Sequence, residues 1–505
     1  MADEKMATTT ANGTDTPPSL ESHDVQGGER RMGKPWMYKR LFGVLPPYAS
    51  PEFQIVFVAF VCFLCPGMFN AVNGLGAGGV VDPHDINRAN IGVYATFSIV
   101  GFFGGSICNT IGLRPTLAFG GIGYFIYVTA LLVYKHTQNA GFLIFSGVLL
   151  GVCAGLLWTA QGAIMMAYPL ERQKGRFISV FWVIFNLGAV IGALVPLGQN
   201  IHTTTAGSVN DGTYIAFIVL MVLGLLTTFL CCNPHFVERK DGSRVILMKN
   251  PTWKSEFLGL LEVLKTDWYI VFMFPFFLAS NWFYTYHFQD VNLPMFNVRT
   301  RSLNNVLYWS MQMVGALVFG YALDFDKISR PLRAKLCLAA LLVITMVIWG
   351  GGYEFQKSYT RASVAADDFV PLDWTDGGRY IGPMFLYMFY GFYDAAFQTC
   401  AYWLMGSLTN NGRKLANFAG FYKGIQSAGA AITPGIDSGL TPYMTEFAST
   451  WGLLAGSILL AVPVVWLKVK DTVTLEEDLQ FTDETKAEVV AVPEVQRAGS
   501  LSEKH

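Results

Sequence analysis

The chain has 505 residues, of which 52% are hydrophobic and only 14% are charged, and its formal net charge is −1. This balance excludes an ordinary water-soluble globular protein of this length, and we expect no nucleic-acid partner. The apolar residues form stretches of roughly twenty residues between Phe53 and Lys468, the length that crosses the hydrocarbon core of a membrane. The sequence therefore predicts a polytopic membrane protein whose main partner is the lipid bilayer.

The predicted elements begin with a polar N-terminal tail, residues 1–50, which we expect to be disordered and to lack a cleavable signal peptide. Two six-span halves, 51–233 and 267–470, flank a polar linker at 234–266, and an acidic tail at 471–505 ends the chain. We expect an all-α membrane protein with twelve transmembrane helices in two pseudo-symmetric halves. The predicted spans are 53–74, 90–110, 115–135, 141–167, 176–199, 213–233, 267–289, 303–324, 332–353, 379–408, 413–436 and 443–467.

The Lys and Arg residues between the spans lie mainly on the side that carries the N-terminus. The positive-inside rule places that side in the cytoplasm. Because an even number of spans returns the chain to the same side, we expect both termini to be cytoplasmic. The segment 354–378 is then the largest external loop, and the sequence leaves open whether the membrane is the plasma membrane or an internal one.

All eight cysteines fall within the predicted apolar spans. There we expect them to act as small packing residues and not as a disulfide framework. One pair forms a CxxC motif, but it has no second pair or histidine beside it, so no metal site is expected. The cysteines are Cys62, Cys65, Cys108, Cys153, Cys231, Cys232, Cys337 and Cys400.

Short motifs of the first half recur at equivalent places in the second half. Six-span repeats joined by a cytoplasmic loop are the plan of major facilitator transporters, whose halves move around a site near the bilayer midplane. The repeats therefore predict a major facilitator fold. The matched positions are Arg114 with Arg330, Gly175 with Gly412, Gln161 with Gln398, and Gly192 with Gly429.

The stretch 105–115 resembles the cytoplasmic signature of that superfamily, G-x-L-x-D-R-x-G-R-R, although Asn109 replaces the acidic residue. The second-half counterpart keeps an acid, Asp324. The resemblance implies that Asn109, Arg114, Asp324 and Arg330 gate the cytoplasmic end, with the neutral Asn109 weakening any first-half latch. A basic loop that only obeys the positive-inside rule is the alternative interpretation.

A second resemblance lies at 155–192, where the chain reads GLLWTAQG, then KGRF, then FWVIFNLG. This pattern is similar to the uncoordinated-ninety-three-like (UNC93-like) branch of the superfamily, particularly its fungal members. That branch is named for an ion-channel regulator and includes a receptor-trafficking chaperone, while many members are called transporters by fold alone. The resemblance therefore leaves two functions open: a secondary transporter of an unknown small organic solute, or a non-transporting partner of a channel or receptor.

Two ionisable residues lie deep in predicted spans, where a charge is costly and usually functional. Asp394 is near the middle of the tenth span and Lys423 is midway along the eleventh. We expect them to form a buried pair that exchanges a proton or holds a charged substrate group. A static ion pair that only fixes helix packing is the alternative.

Polar and aromatic side chains in the spans are candidates for a substrate cavity, because the first and seventh spans line the central cavity of major facilitators. For the polar residues the alternative is interhelical hydrogen bonding, and for the aromatic residues it is core packing. The candidates are Asn70, Asn73, Trp158, Gln161, Asn186, Asn281, Tyr284, His287, Gln398 and Gln426.

Glycines recur every four residues in several spans, for example at Gly147, Gly151 and Gly155 and at Gly420 and Gly424. We interpret these stripes as places where helices approach closely. The sequence contains no Walker phosphate loop, HExxH zinc motif or nucleophile elbow. We therefore expect neither an enzyme nor a bound cofactor or metal.

Overall fold

The computed structural model describes residues 34–74, 83–200, 211–245 and 253–479 of the chain. Within these ranges the structure is almost entirely helical, and the one hairpin pairs β1 (Arg40–Leu41) with β2 (Leu45–Pro47). Helices suit a bilayer because each satisfies its own backbone hydrogen bonds. The predicted all-α class is therefore confirmed.

The six predicted spans of the first half each correspond to helical structure. The first span is interrupted by a π-helical turn, Phe63–Gly67, which contains Pro66. The sixth helix ends at Thr228, before the predicted limit of 233. Turns carrying Cys231 and Cys232 follow it, and the Cys232 backbone N–H donates to the side chain of Gln54 at 2.8 Å. The helices are α1 (Pro51–Cys62), α2 (Met68–Gly74), α3 (Pro83–Ile111), α4 (Leu113–Thr137), α5 (Ala140–Ala167), α6 (Lys174–Asn200) and α7 (Asp211–Thr228).

The linker carries a helix of its own, which turns by 83° into the seventh span. That span is not one regular helix: a 3-10 segment, an α-helix, a π-helical segment and a short last helix follow one another. It runs to Met295 and so extends beyond the predicted limit of 289. The segments are α8 (Trp253–Thr266), Trp268–Met273 (3-10), α9 (Phe274–Thr285), Tyr286–Asn292 (π) and α10 (Leu293–Met295).

The other five predicted spans of the second half each coincide with one long helix. Eight of the described helices are long and apolar enough to cross a membrane by length and composition, and the bent segment described above makes a ninth. The helices α14 and α15, which carry Asp394 and Lys423, are not in that set. The elements are α11 (Val298–Leu323), α12 (Arg330–Gln356), α13 (Arg361–Val364), α14 (Gly378–Leu408), α15 (Gly412–Ser438), α16 (Tyr443–Lys468) and α17 (Leu475–Leu479).

The two halves meet chiefly along two helix pairs, α3 with α15 and α6 with α11, and α5 also contacts α15. Glycines permit the first contact: a Cβ on Gly420 would lie 2.8 Å from the carbonyl oxygen of Gly101. Within the first half, a Cβ on Gly155 would lie 2.9 Å from the backbone nitrogen of Gly101. The glycines at these positions therefore serve close helix packing, as their spacing indicated.

Both described ends of the chain lie at the same end of the helix bundle. The backbone N–H of Glu238 donates to Ala49 at 3.0 Å, and Arg239 donates to the carbonyl of Ala167 at 2.6 Å. On the same side, the backbone N–H of Asn410 donates to Asp478 at 2.9 Å. We call this end, formed by residues 34–50, 168–176, 234–245, 324–330, 409–411 and 469–479, the terminal face.

One pair of cysteines differs from the sequence expectation. The sulfur atoms of Cys337 in α12 and Cys400 in α14 are bonded as a disulfide, so the prediction that every cysteine serves only in packing is wrong for these two. Sequence spacing could not reveal the pair, because helix packing alone brings α12 and α14 together. The other six cysteines are buried and free.

Candidate functional site

A cavity of about 660 Å³, its open mouth included, lies between the two halves. Half of its lining residues are aromatic, among them Phe69, Trp158 and Trp309, and residues with amide, hydroxyl and amino groups also line it. An apolar wall with a few polar groups is the usual character of a site for a small organic ligand. Of the predicted cavity residues, the structure places Asn70, Trp158, Asn281, Tyr284, Gln398 and Gln426 in this lining, together with Lys423.

Four predicted cavity residues lie outside that lining. His287 is buried and stacks on Tyr390, with 4.0 Å between ring centroids. Gln161 is also buried and accepts a hydrogen bond from Tyr402 at 3.4 Å. Asn186 is fully buried within the first half, and Asn73 is half-buried near the end of α2. The structure therefore gives these four residues packing positions.

Lys423 presents its amino group at the wall of the cavity. Its Nζ atom lies 2.7 Å from Oε1 of Gln426 and 3.5 Å from Oε1 of Gln398. It also lies 4.5 Å from the ring centroid of Trp158 and 4.8 Å from that of Tyr422. Aromatic faces and amide oxygens both stabilise a cation, and among the described residues no carboxylate lies within 4.0 Å of this buried lysine.

Asp394 is fully buried behind the cavity, between α14 and α11. Its carboxylate accepts hydrogen bonds from Gln312 at 2.5 Å, Tyr308 at 3.1 Å and Gln398 at 2.7 Å. No ion pair of 4.0 Å or less joins it to Lys423 in the described part of the chain. The predicted direct pair is therefore replaced by an indirect one.

Gln398 connects the two charged residues. Its Nε2 donates to Asp394, while its Oε1 lies within 3.5 Å of Lys423 and accepts from Tyr422 at 3.2 Å and from Gln426 at 3.1 Å. A primary amide can serve both sides at once because it has a donor end and an acceptor end. We call Gln398, Asp394, Lys423 and Gln426 the polar hub.

Asp324 joins the second half to the first half at the terminal face. Its carboxylate accepts from the backbone N–H groups of Gly175 at 2.8 Å and Arg176 at 2.7 Å, which begin α6. A helix N-terminus favours a negative charge through its free N–H groups and its dipole. Burial raises the pKa of Asp324 to about 6, while these two donors act in the opposite direction.

Arg330 also reaches across the halves at this face, with its Nη1 atom 3.1 Å from Glu171. Lys174, from the first half, donates to the carbonyl of Gly406 at 2.5 Å and to the side chain of Asn410 at 2.9 Å. Charged and polar bonds from both halves therefore close the terminal face.

The two first-half gate residues behave differently from each other. Asn109 donates to the carbonyl of Arg413 at 3.4 Å, a long contact across the halves. Arg114 donates instead to the carbonyl of Phe229, within the first half. Its predicted role in gating is thus not matched by a contact between the halves in this structure.

The C-terminal segment 469–479 covers the same seam. The carboxylate of Asp478 accepts from the hydroxyl of Thr409 at 2.7 Å and from the backbone N–H groups of Asn410 and Asn411. The backbone N–H of Val473 donates to Glu171 of the first half at 3.3 Å. The first residues of the predicted acidic tail are therefore held by these bonds, and they include the short helix α17 (Leu475–Leu479).

Sequence reasoning missed several residues of the site. Tyr308 and Gln312 escaped notice although they lie four residues apart and so share one face of α11. That spacing was a usable signal. Glu171 and Asp478 gave none, because only the folded chain brings them to the seam between the halves.

A family model described as the Major Facilitator Superfamily matches residues 41–361, more than half of the chain. The chain belongs to the major facilitator superfamily. It is 51% identical over 447 residues to a UNC93-like protein of Schizosaccharomyces pombe, with 88% of each chain covered. It is 42% identical over 425 residues to UNC93-like protein 1 of Arabidopsis thaliana, covering 84% of this chain and 92% of the relative. It is therefore a fungal-type member of the UNC93-like branch, as its motifs indicated.

Solved structures agree with this fold. The proton:xylose symporter bound to 6-bromo-6-deoxy-D-glucose aligns with a TM-score of 0.59 and 12% identity, over 82% of this chain and 95% of that one. The transporter FucP in its outward conformation aligns with a TM-score of 0.58 and 11% identity, over 83% and 99%. At such low identity these likenesses show the fold alone. The protein is a multi-pass membrane protein with the major facilitator fold.

Proposed function

We propose that this protein is a secondary transporter that moves a small organic solute by alternating access. The observation that carries the proposal is the position of the cavity. It lies between the two halves, while Asp324, Arg330 and Lys174 hold the halves together at the terminal face. Breaking these bonds would open the cavity on that side. We also propose that the terminal face is cytoplasmic, because Lys and Arg residues concentrate there.

The lining indicates the chemical class of the solute. Aromatic rings such as Phe69, Trp158 and Trp309 suit an apolar or ring-shaped part. Asn70, Asn281 and other amide groups of the lining suit hydroxyl or carbonyl groups. The ammonium group of Lys423 could pair with a carboxylate of the solute, so we propose an amphipathic organic substrate that carries an oxygen-rich or anionic end.

Proton coupling is assigned to Asp394 through the polar hub. A solute that takes Lys423 or Gln398 as its own partner changes the hydrogen bonds that Gln398 makes. If the Gln398 amide turns away, the Asp394 carboxylate loses one of its three side-chain donors and has no cation in contact. Protonation then removes an unsatisfied charge, so solute binding and proton uptake are linked.

The test is solute uptake by proteoliposomes that contain the full-length protein, screened with a metabolite library with and without a pH gradient. We expect the wild type to accumulate at least one solute only when the gradient is present, and Asp394→Asn to reach only the level found without a gradient. Asp368→Asn, an exposed acid in the segment 354–378, is the matched control and should behave as wild type. Gradient-driven accumulation by Asp394→Asn would contradict the coupling role.

Absence of flux for every solute, with the protein shown to be folded, would contradict transport itself. That result would favour the second function, an accessory protein that regulates an ion channel or the trafficking of a receptor. Purification with its membrane-protein partners would then be the next experiment.

A further inference from the structure

Three acidic side chains meet at the end of the second half that lies opposite the terminal face. Asp290 comes from the π-helical segment of the seventh span, Asp437 from the last turns of α15, and Glu446 from the first turn of α16. One carboxylate oxygen of each lies within 4.8 Å of the others. These acids are far apart in the chain, so only the folded structure reveals the cluster.

One arginine approaches all three acids. The Nη2 atom of Arg361 lies 2.5 Å from Asp437, 3.0 Å from Glu446 and 3.6 Å from Asp290. Its guanidinium group also rests on the ring of Tyr443, 4.1 Å from the centroid. Among the described residues no second basic side chain lies within 4.0 Å of these carboxylates. With all three acids ionised, the cluster therefore carries two uncompensated negative charges.

Asp290 lies farther from the arginine than the other two acids do. Its side chain is 0% exposed, and no N–H or hydroxyl group of the described residues donates to its carboxylate oxygens, although the carboxyl group of Glu446 lies close enough to share a proton with it. A buried carboxylate without hydrogen bonds is costly. The wide turn of the π-helix nevertheless holds it against Glu446 and Asp437, and such turns are frequent at functional sites.

We propose that Asp290, Asp437 and Glu446 bind a single divalent cation of the calcium class. The donors are all oxygens, the atoms that hard cations prefer, and the group that the described residues form contains no histidine or cysteine. Ca²⁺ accepts six to eight oxygens in flexible geometry, whereas Mg²⁺ demands a near-ideal octahedron. Three carboxylates completed by water on the side of Asp437 fit the first ion. This inference goes beyond transport and does not depend on the proposed function.

Arg361 occupies the cluster as a single-charge substitute for the ion. Its side chain is 25% exposed and belongs to the short helix α13 in the segment between α12 and α14. On this proposal the guanidinium group, which also donates to the carbonyl of Thr441 at 2.6 Å, turns away from the acids when a doubly charged ion enters. Removing its charge should strengthen cation binding, which is opposite to the effect expected if the arginine is a permanent partner of the acids.

The experiment is isothermal titration of CaCl₂ into the purified full-length protein in detergent at pH 7.5, after removal of metals with EDTA. We expect one ion per chain, with a Kd on the order of 10⁻⁴ M as in extracellular calcium modules. Asp437→Asn and Glu446→Gln should each weaken binding at least tenfold, and Arg361→Gln should tighten it several-fold. MgCl₂ should bind more weakly, and Asp367→Asn, an exposed acid nearby in the chain, should leave the Kd unchanged.

Thermal unfolding of the same samples provides the second measurement, and it also shows whether each variant is folded. Calcium should raise the Tm of the wild type and of Arg361→Gln but not of Asp437→Asn. No binding by either the wild type or Arg361→Gln at millimolar calcium would overturn the proposal. So would a Tm that rises with acid but not with calcium, because the acids would then share a proton.

Discussion

The amide of Gln398 stands between Asp394 and Lys423, donating to the carboxylate of the first at 2.7 Å and facing the amino group of the second at 3.5 Å. If the Gln398 amide couples solute binding in the cavity to protonation of Asp394, its removal should uncouple the two events. We predict that Gln398→Leu lowers gradient-driven accumulation at least tenfold, to the level reached without a gradient, and changes gradient-free exchange of solute by only a few-fold. Both rates are measured in proteoliposomes.

The matched control for this variant is Gln161→Leu, a buried glutamine that does not line the cavity. It should leave the ratio of gradient-driven to gradient-free uptake unchanged. Equal loss of both rates in Gln398→Leu would instead mean that this residue serves only in solute binding.

The contact between α3 and α15 predicts a large effect of a single methyl group. A Cβ on Gly105 would lie 2.5 Å from the Cα atom of Asn417 and 2.7 Å from the carbonyl oxygen of Ala416. Backbone atoms cannot move aside easily, so Gly105→Ala should destabilise the closed terminal face by about 1–3 kcal/mol. Distances between spin labels at Arg172 and Lys327, two exposed positions on opposite halves, should shift toward longer values.

Gly452→Ala provides the comparison, since nothing lies within 4 Å of a Cβ at that position of α16. It should leave the label distances as they are, and should stabilise the helix by up to about 1 kcal/mol. Unchanged distances in Gly105→Ala would show that the halves already separate at this point.

The raised pKa of Asp324 should make closure of the terminal face depend on pH. In this state burial raises the pKa of Asp324 to about 6, from an ordinary value of 3.8. The closed state therefore binds the proton more tightly than an open state in which Asp324 meets water. By linkage, closure is most favoured below about pH 4 and weakens as the pH rises through 6.

The same spin labels measure this effect between pH 4 and 8. The long-distance population should grow with pH in the wild type and should be nearly independent of pH in Asp324→Asn. Growth of that population toward acid would show that the two backbone donors outweigh burial.

At the end of the bundle opposite the terminal face, Asp373 attaches the segment between α12 and α14 to α11. Its carboxylate pairs with Arg299 of α11, which holds the pKa of Asp373 well below its ordinary value, and it also accepts from Thr300 at 3.2 Å. The stability from this pair is present above about pH 4 and is lost only in stronger acid. We predict that Asp373→Asn speeds amide hydrogen exchange in 366–376 severalfold at pH 7, whereas Asp376→Asn changes it less, because its carboxylate accepts only from the backbone of Asp373.

The positions of the helices could be predicted because bilayer thickness leaves its mark on any spanning sequence. Asp394 and Lys423 were found for the same reason, since a charge in an apolar run stands out. The role of Gln398 could not be predicted, because glutamines are common between membrane helices and only the packing of α14 against α15 shows which one joins two charges. The Cys337–Cys400 disulfide could not be predicted either, because it depends on which helices are neighbours, and a hydropathy pattern does not specify that.

The π-helical turn at Phe63–Gly67 has a counterpart in the seventh span, Tyr286–Asn292, so the opening span of each half contains wider backbone. A π-turn accommodates one residue more than an α-turn, and each residue of an α-helix rotates the chain by about 100°. Deleting one residue from the first turn would therefore swing everything beyond it by more than a quarter of a revolution. Asn70 would leave the cavity wall, so a single inserted residue determines which side of that span faces the cavity.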